Sequence, residues 1–283
     1  MKKIKYTLLL GILTFLIHCD TKKEYLEDIS THFLCYTYAI CNGETPAKTG
    51  IIGDSWADIL LGYPLVETLR PQLENRFQYK FVGATLGGKT LQQVVNQGLQ
   101  FQVIDQGGAD MKVIILSLGG NDIQDNLSEY IGKIDTVQAQ RFATIKANLK
   151  QLVITGNAYK ISKFGGAPIK WIIHGYDYPN PFMPPVIPGS DEGCKTKFDR
   201  VGLVVPDAAA FTATQLDAFN NLLVDVSREE PSFIYVDLRN TLGGKPFSRA
   251  EFMLDCIHAN NLGYSLLADK LARLIYPITN VGF

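Results

Sequence analysis

The stretch TGIIGDS, Thr49 to Ser55, is a short apolar run that stops on Gly-Asp-Ser. A run this short and without a polar face reads as a strand buried on both sides, and Gly-Asp-Ser is turn chemistry. Four similar runs follow: FQYKFVGA (Phe77 to Ala84), KVIILSLGG (Lys112 to Gly120), IKWIIHGYDY (Ile169 to Tyr178) and FIYVDLR (Phe233 to Arg239). Amphipathic stretches of helix length lie between them, among them Gln138 to Val153 and Ala213 to Val226. The alternation predicts a doubly wound α/β fold, a three-layer α/β/α sandwich around a five-stranded parallel sheet. In open sheets of this kind ligands bind beyond the C-terminal ends of the strands, so chemistry is to be sought there.

With 283 residues, 46% hydrophobic and 19% charged, the chain is long and apolar enough to bury a full core. A formal charge of -1 and the lack of a Lys/Arg stripe argue against nucleic acid as a partner.

Lys2, Lys3 and Lys5 precede an apolar run, Tyr6 to Ile17, that has the build of an export signal and is short for a membrane span. The sequence that follows, LIHC (Leu16 to Cys19), resembles the lipobox of bacterial lipoproteins, although His18 stands where a small residue is usual. The expectation is a signal peptide over 1–18, lipid attachment at Cys19, a polar tether over 19–48 that includes His32, and a globular domain over 49–278. The protein would then be exported and held at a membrane by its lipid, in the periplasm or on the cell surface; the alternatives are an uncleaved anchor and cleavage elsewhere, the latter leaving it secreted. An oxidising compartment favours disulfides among the remaining Cys35, Cys41, Cys194 and Cys256. Three pairings are open; the short loop favours Cys35 with Cys41, which leaves Cys194 with Cys256. The spacings match no metal site, and no metal or cofactor is expected.

The strand ends carry, in order, Gly53-Asp54-Ser55, Gly87-Gly88 and Gly119-Gly120-Asn121-Asp122, and Asp255-Cys256-Ile257-His258 comes after the fifth run. One stretch offers a rival reading. GATLGGKT, Gly83 to Thr90, fits the phosphate-loop pattern G-x-x-x-x-G-K-[ST], and Asp237 could serve as the acid of a partner strand. That reading places the loop after the second strand instead of the first, and it leaves the GDS, GGND and DCIH blocks unexplained.

Taken together, the four blocks resemble the SGNH (GDSL-like) hydrolase superfamily, over about residues 49 to 278. The tail HANNLGYSLLADKLARLI, His258 to Ile275, is similar to the family's last helix. The resemblance implies a flavodoxin-like sandwich and a serine hydrolase of carboxylic esters, an acyl or acetyl esterase or a lysophospholipase-type enzyme. It implies Ser55 as nucleophile, His258 as its base and Asp255 as the group that orients the imidazole. The backbone N–H groups of Ser55 and Gly88 and the side chain of Asn121 would form the oxyanion hole. The substrate would be a small-molecule, glycan or lipid ester. Trp56 replaces the Leu of G-D-S-L, and Ala259 stands where many members have Pro. Asp54 and Asp122 read as residues that orient their loops, and His174, inside an apolar strand, as a satisfied buried histidine.

Six of the thirteen prolines fall between Tyr178 and Pro206. This long insertion after the fourth strand is expected to wall the site, with Tyr176, Tyr178 and Phe182 as candidates for contact with substrate. The alternative is a surface lipoprotein that keeps the fold as a binding or adhesion module with an idle site.

Overall fold

The computed structural model describes residues 49–58, 66–85, 87–125, 127–184 and 195–279. The expectations placed on 1–48, including the signal peptide, Cys19, His32, Cys35 and Cys41, lie outside the described residues, as does Cys194.

The order of elements is β1 (Thr49–Gly53), α1 (Leu69–Phe77), β2 (Phe81–Thr85), α2 (Leu91–Gln97), α3 (Leu99–Gly107), β3 (Val113–Ser117) and α4 (Gly120–Gln124). It continues with α5 (Ile134–Phe164), β4 (Lys170–His174), α6 (Lys195–Val201), α7 (Ala208–Glu229), β5 (Phe233–Val236) and α8 (Asn261–Thr279). The strands form one sheet in the order β2-β1-β3-β4-β5, every pair parallel. Helices cover both faces. On one, α1 packs against α8; on the other, α5 packs against α2, α3 and α7. All residues of β1 and β3 are buried, as their unbroken apolar character requires when both faces are covered.

The second strand starts later than its sequence suggests. Phe77 ends α1, and Gln78 closes that helix in the left-handed region, φ 58°. Tyr79 is then buried and stacks on Phe81, ring centroids 5.2 Å apart. Both aromatics are strand-like residues by propensity, so the pattern ran on across a helix end and a turn. The long helices also exceed their amphipathic cores. Asp207 starts α7 by accepting the N–H of Ala210 at 3.0 Å, an N-cap worth about 1 kcal/mol. That helix buries Leu216, Phe219, Leu223 and Val226 along one stripe, roughly 1.5–3 kcal/mol for each of the large side chains.

Register decides where the chemistry gathers. Gly53, the last residue of β1, is aligned with Thr85 on one side and with Ser117 on the other. The three segments that follow, with Ser55, Gly88 and Asn121, therefore leave the sheet side by side at the point where strand order reverses. A small second cluster, Leu127, Tyr130, Val137, Phe198, Leu203 and Ala208, lies apart from the main core.

Candidate active site

Ser55 sits on a turn built by its neighbours. The Asp54 N–H donates to the carbonyl of Ser117 at 2.9 Å, which pins the turn to β3, and Ala57 N–H returns to the carbonyl of Asp54 at 3.1 Å. The Asp54 carboxylate is 2% exposed and is held at both oxygens. One accepts the Trp56 backbone N–H at 3.0 Å and the Ser117 hydroxyl at 3.1 Å; the other accepts the Tyr176 hydroxyl at 2.5 Å. Burial lifts its pKa to about 6, against these hydrogen bonds and the nearby His258, which act the other way. Gly53 is required by close approach: a Cβ there would come within 2.3 Å of the Ala57 Cβ.

The Asp255–His258 turn meets Ser55 from the far end of the chain. One Asp255 oxygen accepts the backbone N–H groups of Ile257 at 2.8 Å and His258 at 2.7 Å. The other lies 2.8 Å from His258 Nδ1, and His258 Nε2 lies 2.8 Å from Ser55 Oγ. Burial would raise the Asp255 pKa, yet the bonds to His258 and to the backbone bring it below the ordinary value, so the carboxylate is ionised and accepts only. Nδ1 must then carry the imidazole proton, which leaves Nε2 free to accept from the serine hydroxyl. Asn260 anchors the next helix, its side chain accepting the Gly263 N–H at 3.0 Å. Ser55, Asp255 and His258 are thus brought together as a hydrogen-bonded chain.

The other two blocks are tied to each other. Asn121 is buried; its Nδ2 donates to the carbonyl of Lys89 at 3.0 Å, and its Oδ1 accepts from Gln124 Nε2 at 3.2 Å. Those two contacts fix which way the amide faces and leave the second Nδ2 hydrogen for a ligand. Asp122 accepts the backbone N–H of Leu91 at 2.7 Å. Gly88 is exposed, with φ 73°. Ser55 and Asn121 line one cavity together; Gly88 is not among its walls and joins it through Lys89.

Tyr176 lines the same cavity, whereas Tyr178 and Phe182 do not. The Tyr178 hydroxyl donates to Asp217 at 2.8 Å, drawn into the ion pairs that Asp217 makes with Arg239 and Lys245. Phe182 is 60% exposed and meets Phe247 edge-on, centroids 5.3 Å apart. The insertion supplies part of the wall through Pro179 and Phe198 instead; the other apolar walls are Ile123, Leu127, Tyr130, Phe211 and Leu216. The sequence singled out none of these side chains, although the insertion that holds Pro179 and Phe198 was expected to wall the site. No Lys, Arg or His lines the cavity among the described residues.

His174 is buried completely and held neutral, its pKa lowered to about 4 by burial. Its Nδ1 contacts the Gly175 carbonyl at 3.1 Å, while Nε2 has no partner among the described residues, so it is half satisfied rather than fully. The phosphate-loop reading fails on geometry. Gly83 lies inside β2 at φ +129°, where a Cβ would stand 2.1 Å from the Ile51 carbonyl oxygen; its role is strand contact. The Thr90 hydroxyl is used as the N-cap of α2, accepting Gln93 N–H at 3.2 Å. Lys89 Nζ donates to Gln97 at 3.3 Å, and Asp237 pairs with Arg239 at 2.7 Å just past β5, the opposite edge strand of the sheet.

Cys256 is disulfide-bonded, and its partner lies outside the described residues.

A family model described as GDSL-like Lipase/Acylhydrolase matches residues 47–271. Among solved structures the chain is similar to the lipase Lip_vut3 from a goat rumen metagenome, with 16% identity, TM-score 0.54, and 80% of this chain and 96% of that one covered. It is also similar to a variant of Axe2, an acetyl xylan esterase from Geobacillus stearothermophilus, with 17% identity, TM-score 0.51, and 82% and 95% covered. A third is LAE5, an alpha/beta hydrolase enzyme from the metagenome of Lake Arreo, Spain, with 17% identity, TM-score 0.50, and 80% and 94% covered. At such low identity these likenesses show the fold and nothing finer. A search among curated proteins finds no match.

Proposed function

Because the chain belongs to the GDSL-like lipase and acylhydrolase family, we propose that it hydrolyses carboxylic esters through an acyl-enzyme formed on Ser55. The observation that carries this reading is the unbroken chain from Asp255 through His258 to Ser55, with 2.8 Å at both links.

Ser55 Oγ attacks the ester carbonyl as its proton passes to His258 Nε2. The imidazolium that forms is stabilised by the ionised Asp255 and then protonates the departing alcohol. The carbonyl oxygen, now an anion, is met by the N–H groups of Ser55 and Gly88 and by the Asn121 Nδ2 hydrogen left over from Lys89. Water, deprotonated by the same histidine, releases the acid. The acyl group lodges between Tyr176, Leu127, Tyr130 and Phe211. With no cation in those walls, a neutral acyl group is favoured over one bearing carboxylate or phosphate.

Three features of the exported protein belong to the same proposal. Cys19 carries lipid and holds the enzyme at a membrane. Cys194 pairs with Cys256, tying the proline-rich insertion to the His258 turn. The site is active rather than an idle remnant of a binding module, a reading favoured by the presence of every triad and oxyanion residue.

The test is hydrolysis of p-nitrophenyl acetate and of a long-chain p-nitrophenyl ester by the protein beside Ser55→Ala. Turnover that vanishes in the variant supports the proposal. Wild-type inactivity on both esters would favour the alternative, a binding module with an idle site.

A further inference from the structure

Trp56 directly follows Ser55 and occupies the place of the aliphatic residue in the G-D-S-L pattern. Its backbone N–H donates to Asp54, inside the turn that presents Ser55. Its indole Nε1–H donates to the carbonyl of Ile257 at 2.9 Å, and Ile257 is the residue before His258. One residue therefore grips both halves of the site, which lie 201 positions apart in the chain. An aliphatic side chain has no donor and could not make the second grip.

The remaining bonds of the His258 turn explain why this one matters. Asp255 accepts from Ile257 and His258, and Leu254 N–H returns to the His258 carbonyl at 2.8 Å, all within the turn itself. Those bonds keep its shape but would travel with it if it moved. Asn180 N–H holds the Cys256 carbonyl at 2.8 Å, which ties the turn to the segment after β4 and not to β1. Among the described residues, the hydrogen bonds that cross from the His258 turn to the Ser55 turn are Trp56 to Ile257 and the His258–Ser55 contact itself. The latter is broken and remade during reaction, so the indole bond is the standing link.

The indole is also held in place. It is 6% exposed, meets Tyr176 and Tyr264 edge-on at 5.0 and 5.9 Å, and lies over the His174 ring at 6.3 Å. Rings from the segment after β4 and from α8 thus fix the direction in which Nε1–H points.

We propose that Trp56 is a positioning residue whose indole bond to the Ile257 carbonyl sets the spacing between His258 Nε2 and Ser55 Oγ. The proposal rests on the hydrolase reading above. Proton transfer from serine needs a hydrogen-bond distance, and an error near 1 Å in such an arrangement can cost on the order of 10²-fold in rate.

The experiment replaces Trp56 by Phe and, separately, by 3-benzothienylalanine, which keeps the bicyclic shape and puts sulfur where the N–H was. Wild type, both variants and Ser55→Ala are compared for kcat and KM on p-nitrophenyl acetate, with circular dichroism to verify folding. The expected result for a folded benzothienylalanine protein is kcat lower by about tenfold or more and KM within about twofold. An unchanged kcat overturns the proposal. A second measurement does not depend on turnover: the His258 ring N–H proton signal, which reports its bond to Asp255 and its neighbourhood with Ser55. It should shift or exchange faster in the benzothienylalanine protein. If wild type shows no Ser55-dependent turnover, the hydrolase reading fails, and an unaltered His258 signal then rejects the positioning role as well.

Discussion

The Asp122 carboxylate accepts the backbone N–H of Leu91 at 2.7 Å, so the segment after β3 holds the start of α2 and, with it, the loop that carries Gly88. The Asn121 contact to Lys89 reinforces the same link. Asp122→Ala frees that loop without touching Ser55, Asp255 or His258. Its expected effect is a kcat lower by roughly tenfold to a hundredfold and a stability loss of about 1 kcal/mol, read by steady-state kinetics and urea unfolding. Wild-type kinetics in a destabilised variant would mean that Gly88 contributes nothing to the oxyanion hole.

Asn121→Ala removes the donor that the proposed mechanism directs at the developing oxyanion, and kcat on p-nitrophenyl acetate should fall by on the order of 10²–10³ with little change in KM. Gln124→Leu leaves the donor in place but releases its amide from the 3.2 Å contact that fixes its orientation, so a smaller fall is expected. Equal losses in the two variants would speak against that division of labour.

Asp255→Asn keeps the size of the side chain but can present an N–H to Nδ1, favouring the wrong imidazole tautomer. The expected loss in kcat is on the order of 10⁴, with the fold intact by circular dichroism. A loss below tenfold would show that the His258 tautomer is set by something other than Asp255.

His174 gives a stability test. Its folded pKa, about 4, lies below the ordinary value of 6.5 because burial disfavours the charged ring. Its contribution is therefore complete above pH 6.5 and is lost as pH falls towards 4. Replacing it with the non-titrating His174→Met should reduce the stability lost between neutral pH and pH 4 by roughly 3 kcal/mol, measured by urea unfolding at several pH values. A pH-independent difference between the two proteins would contradict a buried neutral His174.

Asp54 acts with the opposite sign. Its carboxyl is raised from 3.8 to about 6, so its contribution is complete below pH 3.8 and is lost as pH rises through 6. Asp54→Asn should gain stability relative to wild type by up to roughly 3 kcal/mol between those limits, on top of a constant cost for the altered bond to Tyr176. A difference that does not change with pH would show that the hydrogen bonds from Tyr176, Trp56 and Ser117 fully offset burial.

The sequence made the sheet legible because β1, β3 and β4 are buried on both faces, and a continuous apolar run bounded by Gly has few other readings. The start of β2 was misplaced because Phe77 and Tyr79 look alike whether they end a helix, fill a turn or begin a strand. Ser55, Asn121 and His258 could be singled out because each stands at a strand end or before a helix with a characteristic neighbour. The walls of the cavity could not. Leu127 and Phe211 carry no mark that separates a wall from a core, and Tyr178 and Phe182 looked like walls because pattern cannot show that Asp217 draws one aside and the surface holds the other. The Trp56 bond to Ile257 joins residues whose proximity depends on the entire sheet, and no local spacing encodes it.

The most direct measurement is peptide mass spectrometry of protein quenched with acid during turnover of p-nitrophenyl acetate. The expected result is an acetyl group on Ser55 in wild type and none in Ser55→Ala. An acetyl group on a different residue, or p-nitrophenol released as fast by Ser55→Ala, would contradict a serine acyl-enzyme.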